Sequence, residues 1–333
     1  MTLRVGLIGC GVMGADHARI LRSDTPGARL AGVYDADGAR AGAIAGEAKG
    51  VRIFDAVREL IVDPEIEAVV IASPDQTHAE LVIACIEAGK PALCEKPLAA
   101  TLAECRAVMS AEVKAGRRLA QVGFMRRFDP GYRAMKKAAL AGEAGRPLFL
   151  HCVHRNAVAP DYITSDLVIA NSAVHEFDIA RFLLGEEFAA VSVYSARASR
   201  HAEARRPQFV VLETASGVIV TVEAYLDAHY GYDVQAELVC ENGAIFLSPN
   251  RPLASRFQGR DGTDVERDWR ARFADAYRIQ LKEWVASIAG GPTVGASAWD
   301  GYAASAIAAA ALEALARGAR TAVDLGAKPA FYS

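Results

Sequence analysis

The chain has few cysteines, and it lacks the spacings that bind metals or build disulfide frameworks. Its six cysteines lie at positions 10, 85, 94, 105, 152 and 240, without a CxxC pair or a Cys/His cluster. Neither a zinc site nor a disulfide scaffold is therefore predicted, and we expect no metal. Scattered, unpaired cysteines are typical of a reducing compartment, so we expect a cytoplasmic protein.

The sequence also lacks an apolar run long enough to cross a membrane, which requires about 20 residues. Its most apolar helical stretch, 303–312, is alanine-rich and is followed by Glu313. The apolar start at Leu3–Ile8 leads directly into a glycine cluster, which is typical of a buried strand and not of a signal peptide. A formal net charge of -3 gives no electrostatic reason to expect nucleic acid as a partner.

What the chain does contain is an apolar fraction of 52% over 333 residues, enough for two domains with cores of their own. Up to residue 122, short β-branched runs alternate with helical stretches, as in a parallel sheet with helices on both faces. After residue 123, strand-like runs follow one another directly. Val234–Cys240 and Ala244–Leu247, joined by Asn242-Gly243, predict one hairpin, and Phe209–Thr214 with Val218–Tyr225 predict another.

The predicted fold class is therefore α/β, in two parts. Residues 1–122 form a domain with a doubly wound parallel sheet, and residues 123–333 form an α+β domain with an open, mostly antiparallel sheet. We expect two helices, 274–289 and 301–316, to close the chain. An open sheet has one face to cover, so we also expect a homo-oligomer.

A glycine motif lies where the first strand meets the first helix. In Gly9-Cys10-Gly11-Val12-Met13-Gly14, the first glycine permits a tight turn, the second lets a pyrophosphate approach the backbone, and the third allows close packing of helix on strand. The helix that begins near Met13 would present free N–H groups to phosphates. A glycine-rich turn without a nucleotide is the alternative, but the strand, the helix and a spaced acid together favour a dinucleotide site.

Four residues that follow the glycine motif in the chain extend the predicted cofactor site. Asp35 ends the second strand, where a carboxylate binds the adenosine ribose hydroxyls and repels a 2′-phosphate, so NAD is favoured over NADP. Arg40 nearby would soften that preference. Ser73 follows the strand Val69–Ala72 and would border the cofactor's sugar. His78 either contacts the cofactor or is an exposed helix residue, and the sequence leaves both readings open.

Glu95-Lys96-Pro97 follows the short apolar strand Ala92–Cys94, so Glu95 and Lys96 would lie at a carboxyl end, where open α/β sheets bind ligands. Thr101 and Glu104 form a capping box that anchors the loop downstream. The alternative is a charged pair that solvates a strand end. Because the glycine motif supplies a cofactor, we expect both residues beside it and chemistry at Lys96.

His175 is the candidate proton acceptor, because imidazole suits proton transfer near neutral pH. If the chain is helical from Asn171 to Leu184, Asn171, His175 and Asp178 share one face. A lone histidine near a helix start is more often structural. Hydrogen-bonding side chains at the ends of other elements either line a polyol pocket or are simply exposed to solvent. They are Arg126, His154, Asn156 and Tyr232.

Together the glycine motif, Glu95-Lys96-Pro97, the segment 123–128 and the His175-Glu176-Phe177-Asp178 helix closely resemble the Gfo/Idh/MocA oxidoreductases, over nearly the whole length. The resemblance implies a Rossmann domain with NAD, followed by a domain that supplies the substrate pocket and often the interface of a tetramer or dimer. It implies hydride transfer between nicotinamide C4 and a carbon that carries a secondary hydroxyl, on an inositol-type cyclic polyol.

The same resemblance implies roles for individual residues. Lys96 would hydrogen-bond the reacting hydroxyl and stabilise negative charge on its oxygen. His175 would be the general base. The peptide bond before Pro97 would be cis. The positions that would contact the substrate are Arg126, His154, Asn156, Asn171, His175 and Tyr232.

One residue departs from the pattern of the inositol enzymes, which commonly have an aspartate one helical turn before the histidine. Here it is Asn171, an amide that orients an imidazole but cannot stabilise its cation with a full charge. We therefore expect a less basic His175. Scyllo-inositol, an aldose or another sugar ketone also becomes a candidate substrate. An NADP-preferring sugar dehydrogenase and a non-catalytic cofactor sensor remain as alternatives, the latter disfavoured because Lys96 and His175 are both present.

Overall fold

The computed structural model describes residues 2–47, 49–200, 205–247 and 254–333. They form two compact units. The first unit consists of Met1–Phe128, Asp275–Ser305 and Ala327–Ser333, and the second consists of Asp129–Ala274 and Ala306–Gly326. The division expected after residue 122 stays a prediction.

The first unit contains a six-stranded parallel sheet, as predicted. Its strands are β1 (Leu3–Ile8), β2 (Ala28–Tyr34), β3 (Arg52–Ile53), β4 (Ala68–Ile71), β5 (Ala92–Cys94) and β6 (Ala120–Val122). They lie in the order β3-β2-β1-β4-β5-β6, so the direction of winding reverses between β1 and β4. All four residues of β4 are buried, as expected for a central strand covered on both faces. Ligands of such sheets bind where the order reverses, at the carboxyl ends of the strands.

Helices follow most of these strands. They are α1 (Val12–Ser23), α2 (Gly38–Gly46), α3 (Val57–Val62), α4 (His78–Glu87) and α5 (Leu102–Ala115). The predicted capping box of α5 is confirmed, because Thr101 Oγ1 accepts from Glu104 N–H and Glu104 Oε2 accepts from Thr101 N–H. Helix α5 therefore begins at a defined residue after the loop that carries Lys96.

The second unit contains a seven-stranded sheet. The elements after Phe128 are α6 (Pro130–Ala141), β7 (Pro147–Arg155), α7 (Ser165–Leu167), α8 (Val174–Leu184), β8 (Phe188–Ser195), β9 (Gln208–Thr214), β10 (Ile219–Tyr225), β11 (Asp233–Cys240), β12 (Gly243–Phe246), β13 (Ala254–Phe257), β14 (Arg260–Thr263), α9 (Trp269–Ile288), α10 (Ala298–Arg317) and β15 (Thr321–Ala322). The strand order is β12-β11-β7-β10-β9-β8-β15. The pair β7–β10 is parallel and the other pairs are antiparallel, so the mostly antiparallel sheet and both hairpins are confirmed.

The segment before α8 differs from the expectation of a continuous α-helix. Val168–Ala173 forms a π-helical turn, and α8 begins only at Val174. Because a π-helix bonds residue i to i+5, the α-helical spacing that put Asn171 and His175 on one face does not apply to this segment. The predicted helix is therefore wrong for residues 171–173, whereas His175 and Asp178 keep their spacing within α8.

The last two helices begin earlier than expected. Ser297 and Asp300 cap α10 reciprocally, because Ser297 N–H donates to Asp300 Oδ2 (2.8 Å) and Asp300 N–H donates to Ser297 Oγ (3.3 Å). Helix α9 includes a non-helical residue, Phe273, and the expected helix corresponds to the part after it. Within the ranges that the structure describes, no helix is both long and apolar enough to cross a membrane.

Candidate cofactor site and active-site residues

A groove of about 670 Å³ lies in the first unit at the carboxyl ends of β1, β2 and β4. Its volume is within the range of small-molecule sites, roughly 300–1,000 Å³. It lies at the reversal of strand order, which is where the fold predicts a ligand. The predicted cofactor residues that line it are Gly9, Gly11, Val12, Met13, Asp35, Arg40 and Ser73.

The three glycines of the motif have different reasons to be glycine. Gly9 has φ +88°, and a Cβ there would lie 2.5 Å from the main chain of Ala72. A Cβ on Gly14 would lie 1.9 Å from the carbonyl oxygen of Gly9. A Cβ on Gly11 would meet no described atom within 4 Å. The protein itself therefore requires the first and third glycines, whereas Gly11 leaves open space beside the amino terminus of α1, where a pyrophosphate fits.

Asp35 ties the glycine turn to the end of β2. Cys10 N–H donates to Asp35 Oδ2 (2.6 Å), and Asp37 N–H donates to Asp35 Oδ1 (2.8 Å). Each carboxylate oxygen retains a further lone pair, so the carboxylate can also accept from ribose hydroxyls. Burial and the charge of Asp35 raise the pKa of the Cys10 thiol to about 12, so this cysteine stays neutral at physiological pH. Arg40 Nε lies 3.3 Å from Asp37 Oδ2 on the exposed rim.

His78 is buried, with 1% of its surface exposed. Its Nδ1 lies 2.7 Å from the carbonyl oxygen of Pro97, and its Nε2 lies 2.9 Å from that of Ser73. The reading of His78 as an exposed helix residue is therefore wrong. Ser73 Oγ lies 2.7 Å from Thr77 Oγ1 at the start of the same turn.

The loop after β5 carries the predicted Glu95 and Lys96. Glu95 is buried, and its Oε1 lies 2.8 Å from Nε2 of His17 on α1, which is also buried. The Lys96–Pro97 peptide bond is cis, as expected. Sequence reasoning missed His17. Its place three residues after Gly14, on the face of α1 that contains Ala18 and Leu21, was a usable signal of a buried histidine near the glycine motif. Four described residues of the predicted cofactor set lie outside the lining of the groove: Gly14, His78, Glu95 and Lys96.

In the second unit, two predicted residues pack against the ring of His154, which itself contacts a buried acid. His154 Nδ1 lies 2.9 Å from Glu176 Oε2, and both side chains are buried. The ring of His154 packs edge-on against His175, at 6.4 Å between centroids, and against Tyr232, at 6.0 Å. Glu176 was not among the predicted residues, although its place next to His175 in the sequence was visible.

The remaining predicted residues lie near element ends. Asn156 follows β7, and its buried Oδ1 has no hydrogen-bond partner among the described residues. Asn171 lies in the π-helical turn. Arg126 belongs to the first unit, where it is buried in the turn Met125–Phe128. No cluster of three or more His, Cys, Asp or Glu residues suited to a metal occurs in the described part of the chain.

This strand order, a glycine turn with room for a pyrophosphate and a carboxylate at the end of β2 define a dinucleotide-binding class of protein. Residues 3–124 match the NAD-binding Rossmann fold of the GFO_IDH_MocA oxidoreductase family, and residues 146–325 match its C-terminal alpha/beta domain. The chain therefore belongs to the Gfo/Idh/MocA oxidoreductase family. It is an enzyme of the dehydrogenase type, and its cofactor is NAD.

The relatives of the chain match it from end to end. It is 51% identical to inositol 2-dehydrogenase 1 of Saccharopolyspora erythraea, over 100% of this chain and 99% of the relative. The structure of myo-inositol dehydrogenase from Lactobacillus casei with NAD(H) and myo-inositol is 32% identical and has a TM-score of 0.96, with full coverage of both chains. Scyllo-inositol dehydrogenase from the same organism is 21% identical with a TM-score of 0.89 over 97% of this chain and 99% of that one, which shows a common fold.

Proposed function

We propose that this oxidoreductase oxidises a secondary hydroxyl of an inositol-type cyclic polyol to a ketone. The observation that carries the proposal is the 51% identity with an inositol 2-dehydrogenase over the whole chain. The side chains at the predicted substrate positions suit such a ligand, because arginine donates hydrogen bonds to hydroxyl groups, and histidine, asparagine and tyrosine both donate and accept them.

Asn156 gives the polyol proposal a local basis in the second unit. Its Oδ1 is buried and lacks a donor among the residues that the structure describes. A buried acceptor without a partner costs about 1–3 kcal/mol, so a ligand that brings a donor relieves this cost. A substrate hydroxyl is such a donor, and we propose that Arg126, His154, Asn171, His175 and Tyr232 bind other hydroxyls.

The proposed cofactor contacts follow from the groove of the first unit. The pyrophosphate would use the space above Gly11 and the free N–H groups of α1, with Gly9, Val12, Met13 and Gly14 shaping the turn. Asp35 would accept from the adenosine ribose, with Arg40 at the rim and Ser73 beside a sugar. His78 and Glu95 would support the site from the loops after β4 and β5. When bound, NAD supplies the acceptor for the hydride that leaves the substrate carbon.

Lys96 and His175 would handle the hydroxyl proton. The Lys96 ammonium would donate a hydrogen bond to the reacting oxygen and stabilise negative charge as the O–H bond breaks. His175 would take the proton on its imidazole, so the substrate loses one proton and one hydride and becomes a ketone. Asn171 would orient His175 through an amide, without the charge of an aspartate.

Steady-state kinetics with NAD and a panel of polyols test this proposal. We expect NADH formation with myo-inositol or another inositol, and losses of about 100-fold or more in kcat for Lys96→Ala and for His175→Ala. Activity confined to aldoses would replace the substrate class, and a higher kcat/KM with NADP would correct the cofactor preference. No turnover of any polyol would refute the proposed reaction.

We also propose a homo-oligomer, a dimer or tetramer, in a reducing cytoplasm. The strand registers place Tyr194, Phe209, Phe149 and Phe246 on one face of the second sheet, and all four are exposed in the single chain. A second copy of the chain would cover these apolar side chains. All six cysteines are unpaired and buried, which suits a compartment that keeps thiols reduced.

A further inference from the structure

Two buried histidines contact the loop that carries Lys96, one at the residue before the lysine and one at the residue after it. His17 of α1 contacts Glu95, the residue before Lys96, and His78 of α4 contacts Pro97, the residue after it. We infer that His17 and His78 are positioning residues that set the direction of the Lys96 side chain. This inference rests on the proposed role of Lys96 at the reacting hydroxyl, and it deepens that role.

The contact before Lys96 confines a whole residue. A carboxylate only accepts, so Nε2 of His17 carries the proton of the 2.8 Å bond to Glu95 Oε1. The main-chain N–H of Glu95 donates to the carbonyl oxygen of Ile71 (2.9 Å). On the other side, a Cβ on Gly123 would lie 3.1 Å from Cα, Cδ and Oε2 of Glu95. Main chain and side chain of Glu95 are therefore both held.

The contact after Lys96 joins two loops of the first unit. His78 spans the carbonyl oxygens of Pro97 (2.7 Å) and Ser73 (2.9 Å). Because carbonyl oxygens only accept, a neutral ring donates a hydrogen bond to one of the two, and only a doubly protonated ring donates to both. Ser73 lines the cofactor groove, so His78 ties the lysine loop to the wall of that groove.

The two contacts together relate Lys96 to the cofactor site. His17 lies one turn into α1, the helix whose amino terminus borders the glycine turn, and His78 reaches the loop after β4. A lysine side chain is long and flexible, so a shift of the backbone that bears it moves the whole region that its ammonium group can reach. An error of about 1 Å in a catalytic group costs about 100-fold in rate. Loss of either histidine contact is therefore expected to lower kcat more than it weakens NAD binding.

Variants that keep or remove one donor separate positioning from simple packing. His17→Gln places an amide donor near the former Nε2, and His17→Leu retains bulk without a donor. For His78, Asn places its amide near the former Nδ1 and faces Pro97, whereas Gln places it near Nε2 and faces Ser73. Thr25→Val is the matched control, because Thr25 is a buried residue that hydrogen-bonds the carbonyl oxygen of Ile20 at the far end of α1.

The experiment measures kcat, KM and the NAD dissociation constant of each variant in the full-length enzyme. We expect His17→Leu and His78→Gln to lower kcat by about 10- to 100-fold with the NAD dissociation constant within about threefold of wild type. His17→Gln and His78→Asn should recover most of kcat, and Thr25→Val should retain it. In the Lys96→Ala background, His17→Leu should lower kcat by less than about twofold, because the group that it positions is gone.

The results separate failure of this inference from failure of the proposed function. If Lys96→Ala abolishes activity while His17→Leu and His78→Gln keep wild-type kcat, the positioning role alone is overturned. An equal loss for His17→Leu with and without Lys96 also overturns it, and so do equal losses for His17→Leu and His17→Gln or for His78→Gln and His78→Asn, because each indicates general loosening of the fold. If Lys96→Ala keeps full activity, the proposed mechanism and this inference are both refuted.

Discussion

Asp35→Asn is expected to weaken NAD binding more than its small change in shape suggests. Both oxygens of Asp35 accept main-chain N–H groups, from Cys10 and from Asp37. An amide has one oxygen, so in either rotamer its NH₂ group faces an N–H donor and one of the two bonds is lost. A hydrogen bond to a charged group contributes about 1.5–3 kcal/mol. Loss of one such bond predicts a dissociation constant for NAD roughly 10- to 150-fold higher.

Fluorescence titration of the purified variant with NAD measures this constant directly. Asp37→Asn is the matched control in the same loop. It keeps an oxygen to cap α2 through Ala39 N–H, and it loses only the exposed ion pair with Arg40. We expect its NAD dissociation constant within about threefold of wild type. Wild-type NAD affinity in Asp35→Asn would refute the claim that these two main-chain bonds hold the glycine turn for the cofactor.

Three further predictions concern stability, the glycine turn and assembly. Tyr332 donates to the buried Glu112 (2.7 Å), and burial raises the pKa of the Glu112 carboxyl, so the stability contribution of this group falls as pH rises through that raised value. Tyr332→Phe should therefore lower the free energy of unfolding by about 1.5–3 kcal/mol above the raised pKa, and by less below the ordinary pKa of 4.5. Urea denaturation at the two pH values measures this difference, and an equal loss at both would contradict it. Gly11→Ala should fold normally but bind NAD at least about 10-fold more weakly, whereas Gly14→Ala should lower the melting temperature; a Gly11→Ala variant that binds NAD normally would show that the open space is not used. Phe149→Glu should shift the oligomer to smaller species in sedimentation velocity, and an unchanged distribution would exclude this sheet face as the interface.

The sequence predicts the architecture of the first unit well, because local patterns carry it. Short apolar strands, the glycine motif and the Thr101–Glu104 box each depend on residues within a few positions of one another, and the structure contains all of them. The same holds for the hairpin at Asn242-Gly243, whose turn chemistry is local. Local sequence patterns were therefore enough to predict those elements whose structure depends on neighbouring residues.

What the sequence could not predict depends on contacts between distant residues. His17 and Glu95 are separated by 78 positions, and no local pattern indicates that a helix histidine meets a residue of a later loop. The π-helical turn before α8 is likewise invisible, because its composition is compatible with an ordinary α-helix. The sequence leaves His78 open between a cofactor contact and an exposed helix residue, whereas in the structure both ring nitrogens face carbonyl oxygens in the interior.

The first unit is assembled from three separate stretches of the chain, and this has a practical consequence for dissecting the protein. Val122 N–H donates to the carbonyl oxygen of Ala296, the ring of Tyr277 packs edge-on against His17, and Tyr332 reaches Glu112. A gene fragment that encodes only residues 1–128 would lack all three of these partners. Such a fragment should not be treated as a transplantable nucleotide-binding module, and chimaeras with relatives should exchange both stretches of the second unit, Asp129–Ala274 and Ala306–Gly326, at their four junctions with the first unit.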